Sequence, residues 1–568
     1  MVILRKEKKR KYRIKKLILI IALLIPIIIF QVFLIQVFEN LRSQYINYLE
    51  SPDRVQGAVY VPLNTSILQQ AEQRYEALLD YYHIPFNLSG HNYYFPLCDA
   101  GLAKYNNTIF NTTAEYLAVA DPLNFSSPYN QIIRYAGLEH NIGTTGVYLI
   151  GQAFKYAVGV RENNNTLKSQ ALNRMKQGVD AIYLFFNVTG QKFLPRWAAP
   201  NTTLARNLFG EYYFTTKYNG YHLIYPVDYN GDIWYLVTGT SKDMHLGVLS
   251  GLAFVYLFCD DIGLRSKITI IVDGILTYLE QTDWRFIDAD GKTHFMGAEI
   301  RTGQPLTDPI FILAFLQVGR LVHYDRWNPV YLRYLFDEGL IQEVGMQEKV
   351  GIYDIVMLTD TYFDINLQTK VVLLAAFFET IPEVRAIYLK DLEELNRIWH
   401  YHRNAHFDLM YLVSLIPKVE GQIIPSPSFT SFDQIPLSVN DLSYYSNDIT
   451  DCLMRFALTK YPKRNFQNPV LDYKTSEYFE PIYNNYSYYP DIGLFKPEKE
   501  NIFVNLLNTI IGEPTWVNVS LPLDMRATCT FLWEQSPFEP QPGGNGLWQS
   551  MPADYLTSYW MARYIYVF

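Results

Sequence analysis

The side chains best placed for chemistry are carboxylates and histidines that stand just before or at the start of apolar helical segments. Because a helix N-terminus carries a partial positive charge, several such beginnings at one place would favour anions and keep carboxylates ionised. Hydrolysis of a glycosidic bond needs two carboxylates, about 5 Å apart for retention of configuration and about 6.5–9.5 Å apart for inversion. We therefore predict a catalytic pair of Asp243 with Glu299 or Asp360, with His406 as a further catalytic candidate.

Polar openings of this kind recur along the chain, each followed by a segment that is apolar on nearly all sides. They are Glu139, His140 and Asn141; Ser241 and Asp243; Thr307 and Asp308; Asp360, Tyr362 and Asp364; Asn404 and His406; and Asp554. We expect five nearby residues to bind a substrate, two of them as platforms for sugar rings: His245, Tyr362, Asp364, Trp284 and Trp327.

Ordinary structural roles compete with these assignments. Asp243 is equally suited to cap the helix that it opens, and Asp308 precedes Pro309, which is typical of a capped helix start. His400 and His402 are two positions apart at a helix end, so their rings diverge and no metal site is predicted. The sequence lacks the motifs of serine hydrolases, nucleotide-binding proteins and zinc proteases, and no cofactor is predicted.

These side chains must be positioned by buried helices, of which residues 240–261 give the clearest example. Apolar residues surround this helix instead of forming one stripe, which indicates burial on all sides. Gly247, Gly251 and Ala253 would let neighbouring helices approach closely. Amphipathic helices are predicted between the buried ones, near 166–186, 263–281, 326–338 and 383–399.

About a dozen helices that alternate between buried and half-exposed fit two concentric layers. We therefore predict an all-α-dominated (α/α)6 toroid of helical hairpins, with short β-hairpins and loops on one rim. Hairpins are expected at 220–239 and 286–297, where Asn-Gly and Asp-Gly mark turns. The last helix is expected to close the ring against the first hairpin.

Charge separates the N-terminus from the rest of the chain. The whole chain has a net charge of −8, although residues 1–38 hold nine Lys and Arg against Glu7 alone. The remaining residues are therefore strongly acidic, and nucleic acid is not expected as a partner because phosphate binding needs a basic face.

The N-terminal segment reads as a membrane anchor. Residues 17–38 are almost continuously apolar, and 22 residues at about 1.5 Å each would span a bilayer. The basic flank predicts a cytoplasmic tail at 1–16, so membrane lipid contacts residues 17–38. A juxtamembrane linker at 39–63 and an extracytoplasmic toroid domain at 64–568 would follow, which makes a single-pass membrane protein.

Acceptor tripeptides for N-glycosylation agree with that topology, because all follow the predicted anchor. They begin at Asn64, Asn87, Asn106, Asn111, Asn124, Asn164, Asn187, Asn201, Asn485 and Asn518. The four cysteines are too few for a disulfide framework, although Cys452 and Cys529 could pair in an exported compartment.

Three stretches carry a resemblance: TSKDMHLGVLSGLAF, FLWEQSPF and YLTSYWMARY. They look like segments of exported (α/α)6-toroid proteins of unassigned activity, and the helix pattern over roughly 60–568 is similar to six-hairpin glycosidases and toroid polysaccharide lyases. The resemblance implies a fold, and a fold does not fix a function.

Three functions remain open from the sequence. The first is a membrane-anchored, extracytoplasmic carbohydrate-active enzyme, most simply a glycoside hydrolase acting through a carboxylate pair in the cleft. The second is a non-catalytic glycan-binding or cell-surface scaffold protein on the same fold. The third is a polysaccharide lyase, which would need a base such as His406 and a positive group to neutralise a uronic acid.

Overall fold

The computed structural model describes most of the chain between residues 65 and 458 and its C-terminal end. Apart from a few isolated residues, the described ranges are 65–85, 93–102, 124–127, 130–218, 222–288, 290–293, 299–301, 308–344, 361–400, 402–419, 421–458, 531–535 and 548–568. The predicted tail at 1–16, the predicted anchor at 17–38 except Gln31, and the predicted linker at 39–63 lie outside them. Within the described part of the chain, no helix has both the length and the hydropathy needed to cross a bilayer.

Helices dominate these residues, which confirms the all-α prediction. They are α1 (Thr65–Leu78), α2 (Asn141–Arg161), α3 (Asn165–Val188), α4 (Thr203–Phe209), α5 (Lys242–Phe258), α6 (Ile262–Gln281), α7 (Asp308–Val322), α8 (Tyr324–Leu332), α9 (Thr361–Phe378), α10 (Pro382–Trp399), α11 (Ala405–Ser414), α12 (Val439–Leu458) and α13 (Ala553–Tyr564). The four amphipathic helices predicted between the buried ones correspond to α3, α6, α8 with the π-helical turn Arg333–Asp337, and α10.

Seven short strands form two antiparallel sheets. They are β1 (Asp99–Leu102), β2 (Ile132–Ala136), β3 (Trp197–Pro200), β4 (Lys217–Tyr218), β5 (Leu223–Tyr229), β6 (Asp232–Val237) and β7 (Trp548–Gln549), in the orders β2-β1-β7 and β3-β6-β5-β4. The predicted hairpin at 220–239 is β5–β6, and both residues of its Asn230-Gly231 turn have positive φ.

Six buried helices contact one another in a cyclic order: α2, α5, α7, α9, α11, α13 and back to α2. Contacts between neighbouring helices show their relative direction, because residues near the start of one helix contact the start of the next and residues near its end contact the end of the next. Lys242 at the start of α5 lies over Phe311 near the start of α7, 4.9 Å from the ring centroid. Gln317 and Arg320 near the end of α7 bind Glu379, which follows the end of α9. Helices α5, α7 and α9 are therefore parallel, and their N-termini lie on the same side.

Glycines set the closest approach in this arrangement, between α2 and α5. A methyl group built on Gly146 would lie 2.2 Å from the carbonyl oxygen of Gly247, and one on Gly251 would lie 2.3 Å from the carbonyl oxygen of Gly146. No larger residue fits without moving a helix backbone. The expectation that Gly247 and Gly251 permit close helix packing is thus confirmed.

The remaining long helices, α1, α3, α6, α8, α10 and α12, pack outside the six buried helices. The C-terminal helix α13 packs against α1 and α2, as expected for closure against the first hairpin. Thr557 of α13 donates a hydrogen bond to the carbonyl oxygen of Val147 on α2, at 2.8 Å. Strand β7 pairs with β1, so the C-terminal segment contacts the beginning of the domain twice.

Candidate functional site

Polar side chains converge where α5, α9, α11 and α13 begin. We call Asp243, Asn366, Lys370, His406, Glu534 and Ser558 the central cluster. Phe531 contacts two members of the cluster. The centroid of its ring lies 5.3 Å from the centroid of the His406 ring and 5.8 Å from Lys370 Nζ. The cluster therefore combines two acids, a lysine, a histidine, an amide and a hydroxyl.

Glu534 belongs to a short 3-10 turn, Leu532–Glu534, which forms hydrogen bonds with the N-terminal residues of α11 and α13. The Leu532 amide donates to Asp554 Oδ2 at 2.9 Å, and the Trp533 indole donates to the Asp554 carbonyl oxygen at 2.9 Å. Asn404, the N-cap of α11, donates its side-chain amide to the Trp533 carbonyl oxygen at 2.8 Å. Asp554, predicted only as a helix opening, thus positions Glu534.

Asn366 and Lys370 stand one turn apart on α9 and face this segment. Asn366 Nδ2 donates to Glu534 Oε1 at 2.5 Å, while Asn366 Oδ1 is buried without a hydrogen-bond partner. Lys370 is 6 % exposed, and no carboxylate of the described residues lies within salt-bridge distance of its ammonium group. Burial lowers the Lys370 pKa, and the charges of Glu534 and then Asp243 partly oppose that effect.

His406 lies at the start of α11 with one ring nitrogen engaged. Its Nδ1 is 3.3 Å from Ser558 Oγ, and Ser558 donates its hydroxyl hydrogen to the Asp554 carbonyl oxygen at 3.0 Å. His406 Nδ1 is then the donor in its contact with Ser558, which leaves a lone pair on Nε2. That atom is buried and has no partner among the described residues. Burial and the Lys370 charge hold the His406 pKa well below its ordinary value, so the ring is neutral.

Asp243 is half-buried in the first turn of α5, beside a buried arginine. Arg196 is 2 % exposed and donates to the carbonyl oxygens of Gly239 at 2.7 Å and Glu139 at 2.9 Å. It also donates to Ser241 Oγ at 3.0 Å. Ser241 occupies the N-cap position, but its side chain makes no capping hydrogen bond. Arg196, which the sequence reasoning missed, therefore ties together the starts of α2 and α5.

His245 has a packing role, because both of its ring nitrogens are used. Nδ1 lies 3.0 Å from the Ser241 carbonyl oxygen, and Nε2 accepts from the Leu194 amide at 3.2 Å. The ring stacks on Phe286 with centroids 4.0 Å apart, and burial lowers the His245 pKa to about 4. The predicted substrate contact therefore has no free nitrogen to act through.

The two tryptophans predicted as sugar platforms are buried in the protein. Trp284 is 0 % exposed and donates to the Tyr334 hydroxyl at 2.8 Å, and Trp327 is 1 % exposed and donates to Asp273 Oδ1 at 2.6 Å. Neither ring presents a face to a ligand, because helix packing encloses both. Tyr362 is also buried, with its hydroxyl 2.6 Å from His402 Nδ1.

The other predicted catalytic carboxylates are not brought to the central cluster by any described contact. Glu299 is half-buried in the segment after α6, where it pairs in an isolated β-bridge with Arg285 and accepts from Thr293 Oγ1 at 3.3 Å. Asp360 and the side chain of Asp364 lie outside the described residues. Of the predicted catalytic residues, Asp243 and His406 are the two found in the cluster.

A second group of buried acids, Asp408, Asp448 and Asp451, surrounds Arg403 near the start of α11. Arg403 donates to Asp448 Oδ1 at 2.6 Å and also binds Asp451. Asp408 on α11 is 0 % exposed, and neither of its carboxyl oxygens has a hydrogen-bond partner within the described part of the chain. Burial and the Asp448 charge raise the Asp408 pKa well above its ordinary value, against the smaller effect of Arg403. The folded protein therefore favours the protonated form of Asp408.

The described residues include no group of three or more His, Cys, Asp or Glu side chains arranged to hold a metal ion. His400 and His402 contact different tyrosines, since His400 Nδ1 lies 2.9 Å from the Tyr445 hydroxyl and His402 contacts Tyr362. Cys452 is buried, and Cys529, its suggested partner, lies outside the described residues, so the suggested pairing stays a prediction.

Four of the predicted glycosylation sites fall within the described residues. Asn124, Asn164 and Asn201 are exposed, and Asn187 is half-buried. Asn164 is also the N-cap of α3, because its side chain accepts from the Leu167 amide at 3.1 Å. The other six, Asn64, Asn87, Asn106, Asn111, Asn485 and Asn518, lie outside the described residues.

Comparison of the chain with protein-family models, curated proteins and solved structures finds no match. The residues of the central cluster are therefore the basis for any assignment of function.

Proposed function

We propose that the six buried helices form the inner layer of an (α/α)6 toroid and that their N-termini surround a cleft. The cyclic contact order and the shared direction of α5, α7 and α9 support this arrangement. The six outer helices supply the second layer that such a toroid requires. In this arrangement the central cluster lies at the mouth of the ring, where the partial positive charges of the helix ends favour an anionic or polyhydroxylated ligand.

The protein acts in this proposal as a glycoside hydrolase on an external glycan. The observation that carries the assignment is that two acids come from separate elements, Asp243 from the first turn of α5 and Glu534 from the 3-10 turn held by Asn366, and that the charges of both oppose the lowering of the Lys370 pKa. Glycosidases need a pair of carboxylates whose protonation states differ. In this proposal Glu534 takes the place of Glu299 as the partner of Asp243, while Asp360, which lies outside the described residues, stays a prediction.

The roles follow from the neighbours of each acid. The charge of Glu534 has a larger effect on the Lys370 pKa than the charge of Asp243 has. Asn366 also donates a hydrogen bond to Glu534. Both contacts favour the ionised form of Glu534, which becomes the nucleophile or the base that activates water. Asp243 is assigned the remaining role by elimination, because a glycosidase also needs a general acid that protonates the departing oxygen.

A polysaccharide lyase is a second candidate, and two specific observations favour it. His406 Nε2 has a lone pair and no partner within the described ranges, which suits a base that removes a proton next to a uronic acid carboxylate. Lys370 makes no salt bridge to a described carboxylate, so its positive charge can neutralise the negative charge of the uronic acid. A non-catalytic glycan-binding or scaffold role is the remaining alternative, and the burial of Trp284 and Trp327 leaves it without the predicted sugar platforms.

The proposed location is outside the cytoplasm, with residues 17–38 as a single membrane anchor contacting lipid and residues 1–16 as the cytoplasmic tail. The apolar run and its basic flank support the anchor. The exposed acceptor residues Asn124, Asn164 and Asn201 are compatible with glycosylation of the exported domain.

The test is a hydrolysis assay on the purified full-length protein with panels of neutral and uronic acid glycans. Reducing ends report cleavage by either mechanism, and ultraviolet absorbance of an unsaturated uronate reports elimination alone. Loss of one catalytic carboxylate is expected to lower the rate by roughly 10²-fold or more, which is the scale of a positioned acid or base. The variants are Asp243→Asn and Glu534→Gln, with Asp337→Asn as a control because Asp337 is an exposed acid on the outer layer.

Reducing ends without unsaturated product, lost in both cluster variants and retained in Asp337→Asn, are the expected result. Unsaturated product that is lost in His406→Gln would favour the lyase. If the protein binds glycans without cleaving any of them, or if Asp243→Asn and Glu534→Gln retain full activity, the hydrolase assignment is wrong.

A further inference from the structure

A cavity of about 350 Å³ lies at the opposite end of the buried helices, away from the central cluster. The cavity lies between the end of α9, the beginning of α10 and the segment that follows α11. Its lining includes Glu379, Thr380, Arg385, Leu389, Lys418 and Gln422. Its volume falls at the lower end of the range of small-molecule sites, which is roughly 300–1,000 Å³. A single sugar-sized molecule fits such a space.

The acid in this cavity is already fully engaged by the protein. Glu379 Oε1 accepts from Arg320 at 3.0 Å and from the amides of Thr380 and Ile381 at 2.7 and 2.9 Å. Its Oε2 accepts from Gln317 and Tyr331. Glu379 therefore neutralises Arg320 and has no capacity left for a second cation.

Two further cations line the cavity, and both donate hydrogen bonds to backbone carbonyl oxygens, while Lys418 Nζ also lies 4.0 Å from the centroid of the Phe377 ring. Arg385 donates Nε to the Ala376 carbonyl oxygen at 3.3 Å and Nη2 to that of Ser414 at 2.7 Å, which leaves Nη1 without a described acceptor. Lys418 Nζ donates to the carbonyl oxygen of Phe377 and has two more hydrogens to offer. These contacts cap the ends of α9 and α11, but they supply no full negative charge.

Among the described residues that line the cavity, two cationic side chains therefore stand beside a single carboxylate, Glu379, which is already paired with Arg320. Arg385 stands in the first turns of α10, at the end of a helix where a cation is unfavourable, and the N-cap residue Ile381 offers no capping side chain. Burial and the nearby Arg385 charge lower the Lys418 pKa well below its ordinary value. An anion in the cavity would relieve both unfavourable interactions.

We propose that this cavity binds a small ligand bearing an oxyanion, either a sugar acid or a phosphorylated sugar. The oxyanion sits between Arg385 Nη1 and Lys418 Nζ, where charge-assisted hydrogen bonds are strong. The Gln422 amide and the Thr380 hydroxyl can contact ring hydroxyl groups, and Leu389 covers an apolar ring face. The site is independent of the central cluster and of the function proposed for it.

Calorimetric titration of the full-length protein tests the proposal with three probes: glucuronate, inorganic phosphate and neutral glucose. Glucuronate or phosphate is expected to bind in the millimolar range or more tightly, whereas glucose does not. Arg385→Gln is expected to weaken binding by at least tenfold. Lys390→Gln, an exposed lysine on the same helix, is the matched control and keeps wild-type affinity.

A second pair of variants covers the case in which Arg385→Gln does not fold. Ala386 is exposed and lines the cavity, so Ala386→Glu adds a tethered carboxylate and Ala386→Gln adds the same bulk without charge. Ala386→Glu is expected to abolish anion binding and to raise the melting temperature above that of Ala386→Gln. Equal binding of glucose and glucuronate, no anion binding by the wild type, or unchanged anion binding in Ala386→Glu would overturn the proposal.

Discussion

Replacing Gly146 by alanine tests the closest helix contact in the molecule. The added methyl group would lie 2.2 Å from the Gly247 carbonyl oxygen and 2.6 Å from Val248 Cα. Both atoms belong to the backbone of α5, so no change of side-chain rotamer can relieve the overlap. The two helices must move apart, and they belong to the most extensive helix pair of the described core.

Two opposing effects set the expected magnitude. Alanine in a helix interior is favoured over glycine by about 1 kcal/mol. Overpacking of a core costs about 1–3 kcal/mol, and the upper end applies here because the opposing atoms cannot rotate away. We expect Gly146→Ala to lower the free energy of unfolding by about 2 kcal/mol, on the balance of these two effects.

Gly263 supplies a matched control in the same kind of secondary structure. It lies in the first turn of α6, and a methyl group there would come no closer than 3.4 Å to Asp261 Oδ1. Gly263→Ala is expected to be neutral or to stabilise by up to about 1 kcal/mol. Gly151→Ala is expected to fall between the two, because its methyl group would approach Thr557 Cα at 2.9 Å.

The measurement is urea unfolding of the three purified variants beside the wild type, followed by tryptophan fluorescence. The expected order of stability is Gly263→Ala, then Gly151→Ala, then Gly146→Ala. If Gly146→Ala were as stable as Gly263→Ala, α2 and α5 would not be in the close contact described, and the proposed toroid would lose its closest helix pair.

Two further predictions concern groups outside the ring contacts. The raised Asp408 pKa means that folding favours the protonated acid, so the contribution of this residue to stability falls as the pH rises above the ordinary carboxyl pKa. Asp408→Asn should flatten that decline when the melting temperature is measured across a pH series. An unchanged slope would contradict the prediction. Asn164→Ala should prevent glycosylation at this position and also remove the α3 cap, and loss of the cap should lower the free energy of unfolding by about 1 kcal/mol. Thr166→Ala should prevent glycosylation alone. Mass spectrometry of protein from a glycosylating host measures the first effect, and thermal unfolding measures the second.

The helices were predictable because their signals are local. Apolar residues that recur with the helical period, or that surround an entire segment, reflect the environment of each turn and do not depend on distant parts of the chain. The same holds for the Asn230-Gly231 turn, whose positive φ angles suit these two residue types. The helix limits predicted near 263–281 and 383–399 differ from the observed ones by one residue at the start.

Close packing at Gly247 and Gly251 was also readable from the sequence, because only small residues allow helix backbones to approach. The sequence identified Asp243 and His406 as well, since each belongs to a polar opening before a buried helix. It could not show whether a given aromatic ring is exposed. Trp284 and Trp327 are enclosed by residues from other helices, so their burial depends on how the layers pack.

The sequence by itself thus determined the helical class, the alternation of buried and half-exposed helices and two members of the central cluster. Only the tertiary structure brought Glu534 to Asn366, across 168 positions of the chain, and placed both beside Lys370. It also used both ring nitrogens of His245 and left His406 Nε2 without a partner among the described residues. The physical reason is that helical periodicity acts over a few residues, whereas the contacts of Glu534 with Asn366 and of His245 with Leu194 join residues that are far apart in the chain.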